Sequence, residues 1–144
     1  MARAEEPGLF FFHSPWIHTM IRCVTLAAAL IACALPAAAQ MQRNFPANAL
    51  RGELVVLQPP DAQLNGRPAR LAPGARIRGD NNLLVVSGTI ANRRLWVHYT
   101  LDTGGQLLDV WVLTATELAR PWPTSPEQAR AWAFDPARQS WSRP

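Results

Sequence analysis

Between Arg94 and Thr114 the sequence alternates apolar and polar residues on either side of Asp102-Thr103-Gly104-Gly105, the pattern of two antiparallel strands joined by a tight turn. No other segment restricts the fold as strongly, because an alternating pair commits one face to burial and fixes the register. With Thr103-Gly104 as a two-residue turn, Leu101 faces Gln106, Tyr99 faces Leu108, Val97 faces Val110 and Leu95 faces Val112. That face is almost wholly apolar and is the expected core. The other face sets Trp96 opposite Trp111, His98 opposite Asp109 and Thr100 opposite Leu107. It is only half polar, so partial cover is expected.

Upstream, Glu53 to Gln58 is a β-branched run stopped by Pro59-Pro60, and Asn65-Gly66 is a turn signal. Pro68–Leu71 and Ala75–Arg78 flank Ala72-Pro73-Gly74, which reads as a type II turn. Gly79–Asn82 turns again, and Leu83–Ile90 reads as a strand with a bulge at Gly88. Downstream, Pro121-Trp122-Pro123 ends the sheet pattern. Ser125-Pro126-Glu127-Gln128 then carries a cap, an early proline and a glutamine at the third helical position, predicting a helix over residues 126–133. Trp122, Trp132 and Trp141 are too large to leave bare, so the tail is expected to fold back over the half-apolar face or an open barrel end. The fold class is therefore all-β. We expect a small, strongly bent antiparallel sheet or open barrel of about five to six strands, with a short C-terminal helix and a Trp-rich tail, as in OB-like and SH3-like domains.

The first part of the chain has a different character. From Met20, a short basic start precedes an apolar stretch from Cys23 to Leu35, then Pro36 and Ala37-Ala38-Ala39. This is the make-up of a secretory signal peptide (20–39) cut after Ala39. Residues 1–19 carry Glu5 and Glu6 where a leader is basic, and read as an upstream extension, with translation starting at Met20. Leu30-Ile31-Ala32-Cys33 offers another route, a lipoprotein anchored through Cys33. The expected organisation continues with a loose arm (40–52), a β domain (53–119) and the tail (120–144). About 105 residues remain to fold, which excludes a multidomain enzyme. Both cysteines, Cys23 and Cys33, lie in the leader, so a disulfide framework in the mature part is excluded as well.

Residues 40–144 hold twelve arginines (the fourteen basic residues less Arg3 and Arg22) against eight acids, and the chain has no lysine. A cationic surface for anionic partners is one reading of this excess. The arginines are scattered among acids, with Arg67, Arg70, Arg76 and Arg78 the only local concentration. Nucleic acid is not an expected partner, since its footprint is a stripe or patch.

Three constellations could carry chemistry. Leu101-Asp102-Thr103-Gly104 resembles the signature of aspartic peptidases. The resemblance implies a retropepsin-like homodimer in which two aspartates share a proton. No glycine follows Gly105, however, and such folds need a later apolar-apolar-Gly segment; an Asp-containing hairpin turn explains the same residues. His98 beside Asp109 has the form of a base and its orienting carboxylate, but Ser87 is the only serine in the expected sheet and no nucleophile elbow surrounds it. One histidine and one aspartate also fall short of a zinc site. Trp96 and Trp111 could form a platform for a sugar ring or part of a second small core.

Leu64–Arg78 and Tyr99–Thr114 resemble segments of uncharacterised small exported, signal-peptide-bearing β-domain proteins of proteobacteria. The resemblance implies an envelope location and a small β domain, and carries over no functional residue. The expectation is a periplasmic, non-enzymatic binding or scaffolding domain of the cell envelope. It needs no cofactor, its partner is an envelope protein or glycan, and Trp96, Trp111, His98 and Asp109 are the candidate binding residues. The alternatives are the dimeric peptidase using Asp102 and an Arg-rich binder of anionic surfaces.

Overall fold

The computed structural model describes Gly8 and residues 42–144. The expected upstream extension, the signal peptide with its cleavage site after Ala39, and Cys33 lie outside the described residues. β1 (Leu50–Val56) alternates buried and half-buried positions, as a strand with one face in a core must. It pairs antiparallel with β2 (Asp61–Leu64) on one side and β4 (Arg94–Leu101) on the other. Asn65 and Gly66, both at positive φ (53° and 78°), turn β2 into β3 (Arg67–Arg78). β5 (Leu107–Val112) then fills the gap between β3 and β4, parallel to the first and antiparallel to the second. The result is a closed barrel of order β1-β2-β3-β5-β4, the Greek-key connectivity of OB-type barrels.

The mainly-β fold with a short C-terminal helix agrees with the sequence. In detail the barrel is closed rather than open, and one of its pairings is parallel. Ala72-Pro73-Gly74 does not separate two strands. Gly74 takes the left-handed conformation a type II turn requires (φ 78°), but it only kinks one long β3, whose register with β5 shifts between Leu71 and Arg76. Leu83–Ile90 does not form the expected strand. Only Leu84 bridges Arg78, and Ser87–Ile90 is a 3-10 turn that places Ile90 in the barrel core. Of this segment, only Ile90 is buried in the barrel core, with Val85 packed partly against it.

The hairpin register also differs from the two-residue turn. Val97 faces Val112, His98 faces Trp111 and Tyr99 faces Val110. The connection is longer, with Gly105 at φ 78° and the Asp102 N–H donating to the Gln106 carbonyl at 2.8 Å. Because the displacement is two residues, Val97, Tyr99, Val110 and Val112 keep their expected face. An irregularity between Tyr99 and Leu101 then turns Leu107 inward in place of Leu108. The barrel interior is aliphatic apart from Tyr99, with Leu54, Val97, Leu107 and Val110 fully buried.

A second layer covers the outer face of β1, β4 and β5. Thr114 caps a single helical turn, α1 (Ala115–Leu118), in a full capping box with Glu117. Ser125 caps α2 (Pro126–Ala131), as its sequence signal requires. The Gln128 side chain accepts from Thr124 N–H at 2.9 Å, one residue before the expected cap. A small hairpin follows, β6 (Ala133–Asp135) with β7 (Ser140–Ser142). The tail's Trp122 and Trp141 pack with Phe45, Ala49, Trp111 and Leu113 into a second core, which is the fold-back the tryptophans demanded. The loose arm is not loose from Gln42 onward. Phe45 and Ala49 are buried, and the Phe45 N–H donates to the buried Gln139 carboxamide at 2.7 Å.

Candidate functional site

The four expected binding residues do not form one site. Trp111 and His98 lie under the tail, 8% and 1% exposed. Trp96 is 47% exposed and sits opposite Glu53 of β1, not Trp111. The Asp109 carboxylate accepts two hydrogen bonds from Arg76, at 2.9 and 3.2 Å, with Arg78 at 3.9 Å. The two-residue shift in register separated each expected pair.

His98 instead joins a buried polar cluster. Its ring stacks on Trp122 (4.2 Å between centroids, 26° between planes) and meets the Phe45 ring edge-on at 4.5 Å. Arg51 Nη2 stands 3.3 Å from His98 Nε2. Since guanidinium only donates, Nε2 accepts, and the geometry assigns the ring proton to Nδ1. Burial, then the charges of Arg51 and Arg43, push the His98 pKa down to about 2. The imidazole is therefore neutral across the physiological range and a poor proton acceptor.

The Nη groups of Arg51 also reach the end of α1, donating to the carbonyls of Glu117 at 2.9 Å and Arg120 at 2.8 Å, while its buried Nε has no partner. A cation at the end of a helical turn complements its exposed carbonyls. Arg43, whose side chain is 6% exposed, grips the Glu117 carboxylate with two nitrogens and donates to the Gly79 and Val112 carbonyls, each at 2.7 Å. Burial alone would raise the Glu117 pKa. Hydrogen bonds from Arg43 and Thr114, with the Arg43 charge, outweigh it and hold the carboxyl below its usual range. This cluster fastens residues 42–51 to α1 and the barrel.

Asp102 is also committed. Its Oδ1 accepts from the N–H groups of Gly104 (2.9 Å) and Gln106 (2.8 Å), so the carboxylate organises its own turn. Among the described residues, no three His, Cys, Asp or Glu stand together as a metal site.

The outer side of β2 and β3 carries a groove of about 550 Å³. Asp61 faces Arg70 and Gln63 faces Pro68 across the two strands. Leu57 of the β1–β2 loop and Gly105-Gln106 of the β4–β5 loop also line it. Asp61 and Arg70 are 65% and 61% exposed and 3.7 Å apart, longer than a hydrogen bond. The sequence marked the two loops only as turns. Their convergence over β2–β3 is a product of barrel closure and has no local signal.

No family model, curated protein or solved structure matches this chain.

Proposed function

We propose that this protein is an exported, non-catalytic binding domain of the cell envelope, and that its ligand lies in the β2–β3 groove. One observation carries the reading. The groove lies where the β1–β2 and β4–β5 loops converge on strands β2 and β3, the position at which OB-type barrels take up oligomeric ligands. The chemistry of the lining supports a glycan strand. Two carboxamides, Gln63 and Gln106, and a loosely paired carboxylate and guanidinium offer both donors and acceptors to hydroxyl and acetamido groups. The non-catalytic part rests on the occupations of the titratable side chains. Asp102 holds its turn, Asp109 holds Arg76, and His98 is buried against Trp122. Export rests on the leader, which ends at Ala39, three residues before Gln42.

The test is an NMR titration of the exported protein with soluble peptidoglycan glycan fragments. Amide shifts are expected at Gln63, Arg70 and Gln106, but not at His98 or Trp111. Arg70→Ala with Gln106→Ala should weaken binding about tenfold, near 1.4 kcal/mol. Shifts centred elsewhere, or none at millimolar glycan, would reject the groove. Recovery of the protein in the cytosol with residues 20–39 attached would reject export.

A further inference from the structure

Trp96 is 47% exposed on a domain whose outer layer buries three other indoles, Trp111, Trp122 and Trp141. Its chain neighbours Leu95 and Val97 pack in the barrel core, so Trp96 lies on the outer face of β4. The covering layer reaches His98, two residues along the strand and buried, and stops short of Trp96. The strand pairings put Trp96 on the same sheet face as the groove. Pro68 and Gln63, which line the groove, stand in one transverse row with Val55 and Arg94, carried across β3, β2, β1 and β4 by the register. Trp96 belongs to the next row of that face, opposite Glu53, whose N–H donates to the Asn65 side-chain oxygen at 2.9 Å. From Gln63 to Arg94 is two strand spacings, about 10 Å along the sheet.

Building on the glycan reading of the groove, we propose that Trp96, with Glu53 and Arg94, forms a second sugar subsite on this face. The domain then takes a glycan strand longer than the groove alone would hold. A pyranose ring presents an apolar C–H face and a rim of hydroxyl groups. The half-exposed indole offers the first a flat apolar surface. Glu53 and Arg94 offer the second an acceptor and several donors. Their charged groups stand 3.9 Å apart, longer than a hydrogen bond, so both keep hydrogen-bonding capacity. A protein partner or a second copy of the chain fits less well. Among the described residues, no other strongly exposed large apolar side chain lies on these two rows. One ring falls far short of the roughly 800 Å² per partner in a stable protein complex.

The test titrates the exported protein with soluble peptidoglycan glycan fragments of two lengths, a disaccharide and a hexasaccharide, read by NMR. The hexasaccharide should shift the Trp96 Nε1–H together with the Gln63 and Gln106 amides. Trp96→Leu, which keeps apolar bulk but loses the flat ring, should weaken hexasaccharide binding about tenfold. The groove shifts produced by the disaccharide should be unchanged in that variant, and Trp96→Tyr should restore most of the hexasaccharide affinity. If Trp96→Leu lowers the unfolding midpoint, the Nε1–H shift in the unmodified protein decides alone. A Trp96 Nε1–H unmoved at saturating hexasaccharide, or equal affinities for Trp96→Leu and wild type, would overturn the second subsite and leave the groove standing. A shift at Trp96 without shifts at Gln63 and Gln106 would reject the groove and keep the sugar site at Trp96, while silence at all three would reject both. A Trp96 shift that grows with protein concentration in the absence of glycan would assign this face to a second copy and overturn the proposal.

Discussion

The two cores of this domain are built by different rules. The barrel interior is aliphatic apart from Tyr99 and is drawn from all five strands, with β1 contributing every second residue. The outer core is aromatic, encloses two arginines, a glutamate and a histidine, and joins residues 43–51 to residues 111–141. The first needs only alternation and volume. The second buries polar groups that need particular partners, because burial leaves no water to substitute; most find one, while Arg51 Nε, His98 Nδ1 and Trp141 Nε1 do not. The outer core should therefore tolerate substitution less well than its apolar content suggests.

The largest effect is expected at Trp122. It stacks on His98, and its Nε1–H donates to the Ala49 carbonyl at 2.8 Å. Trp122→Ala should cost about 3–5 kcal/mol in urea unfolding, at least as much as Leu54→Ala in the barrel interior at about 2–5 kcal/mol. A loss at Trp122 below 1 kcal/mol would show that the outer layer is ornamental. Arg43→Ala comes next, at about 2–4 kcal/mol, because it strands Glu117 and the Gly79 and Val112 carbonyls. Wild-type midpoints for this variant would mean that the N-terminal segment does not hold the layer down.

The smallest effect separates the cores by pH. His98 has a folded pKa near 2 against an ordinary 6.5. Between those values the unfolded chain binds the proton and the native ring does not. Its stabilising contribution is thus complete above pH 6.5 and is lost as pH falls below it, with a slope of up to about 1.4 kcal/mol per pH unit. Glu117, held below its usual range, adds a loss of the same sign only at lower pH, as its unfolded form starts to take up protons. Stability should therefore decline from pH 7 to pH 5, and His98→Phe should flatten that stretch. A wild-type curve level across it would place His98 in water.

The same contrast decides what could be read in advance. Alternation in residues 94–114 and the turn residues gave the hairpin and its core face, and the three unpaired tryptophans required the fold-back of the tail. Barrel closure could not be read, because the parallel β3–β5 pairing depends on where a distant strand comes to rest. The register failed for a local reason: a longer turn and a strand irregularity moved β5 by two residues, which kept the core face and dissolved the Trp96–Trp111 and His98–Asp109 pairs. Arg43 gave no signal at all, since a single arginine in a polar stretch looks solvated until its partner at Glu117 is known. The β2–β3 groove was hidden for a similar reason, being assembled from two loops some 45 residues apart in the sequence.

Amide-type exchange at the indole nitrogens tests the central claim most directly. In deuterated buffer the Trp122 Nε1–H, bonded to Ala49 beneath the outer layer, should persist after the half-exposed Trp96 Nε1–H has vanished. Equal, rapid loss of both signals would mean that the tail does not cover the barrel, and that His98 and Trp111 face solvent after all.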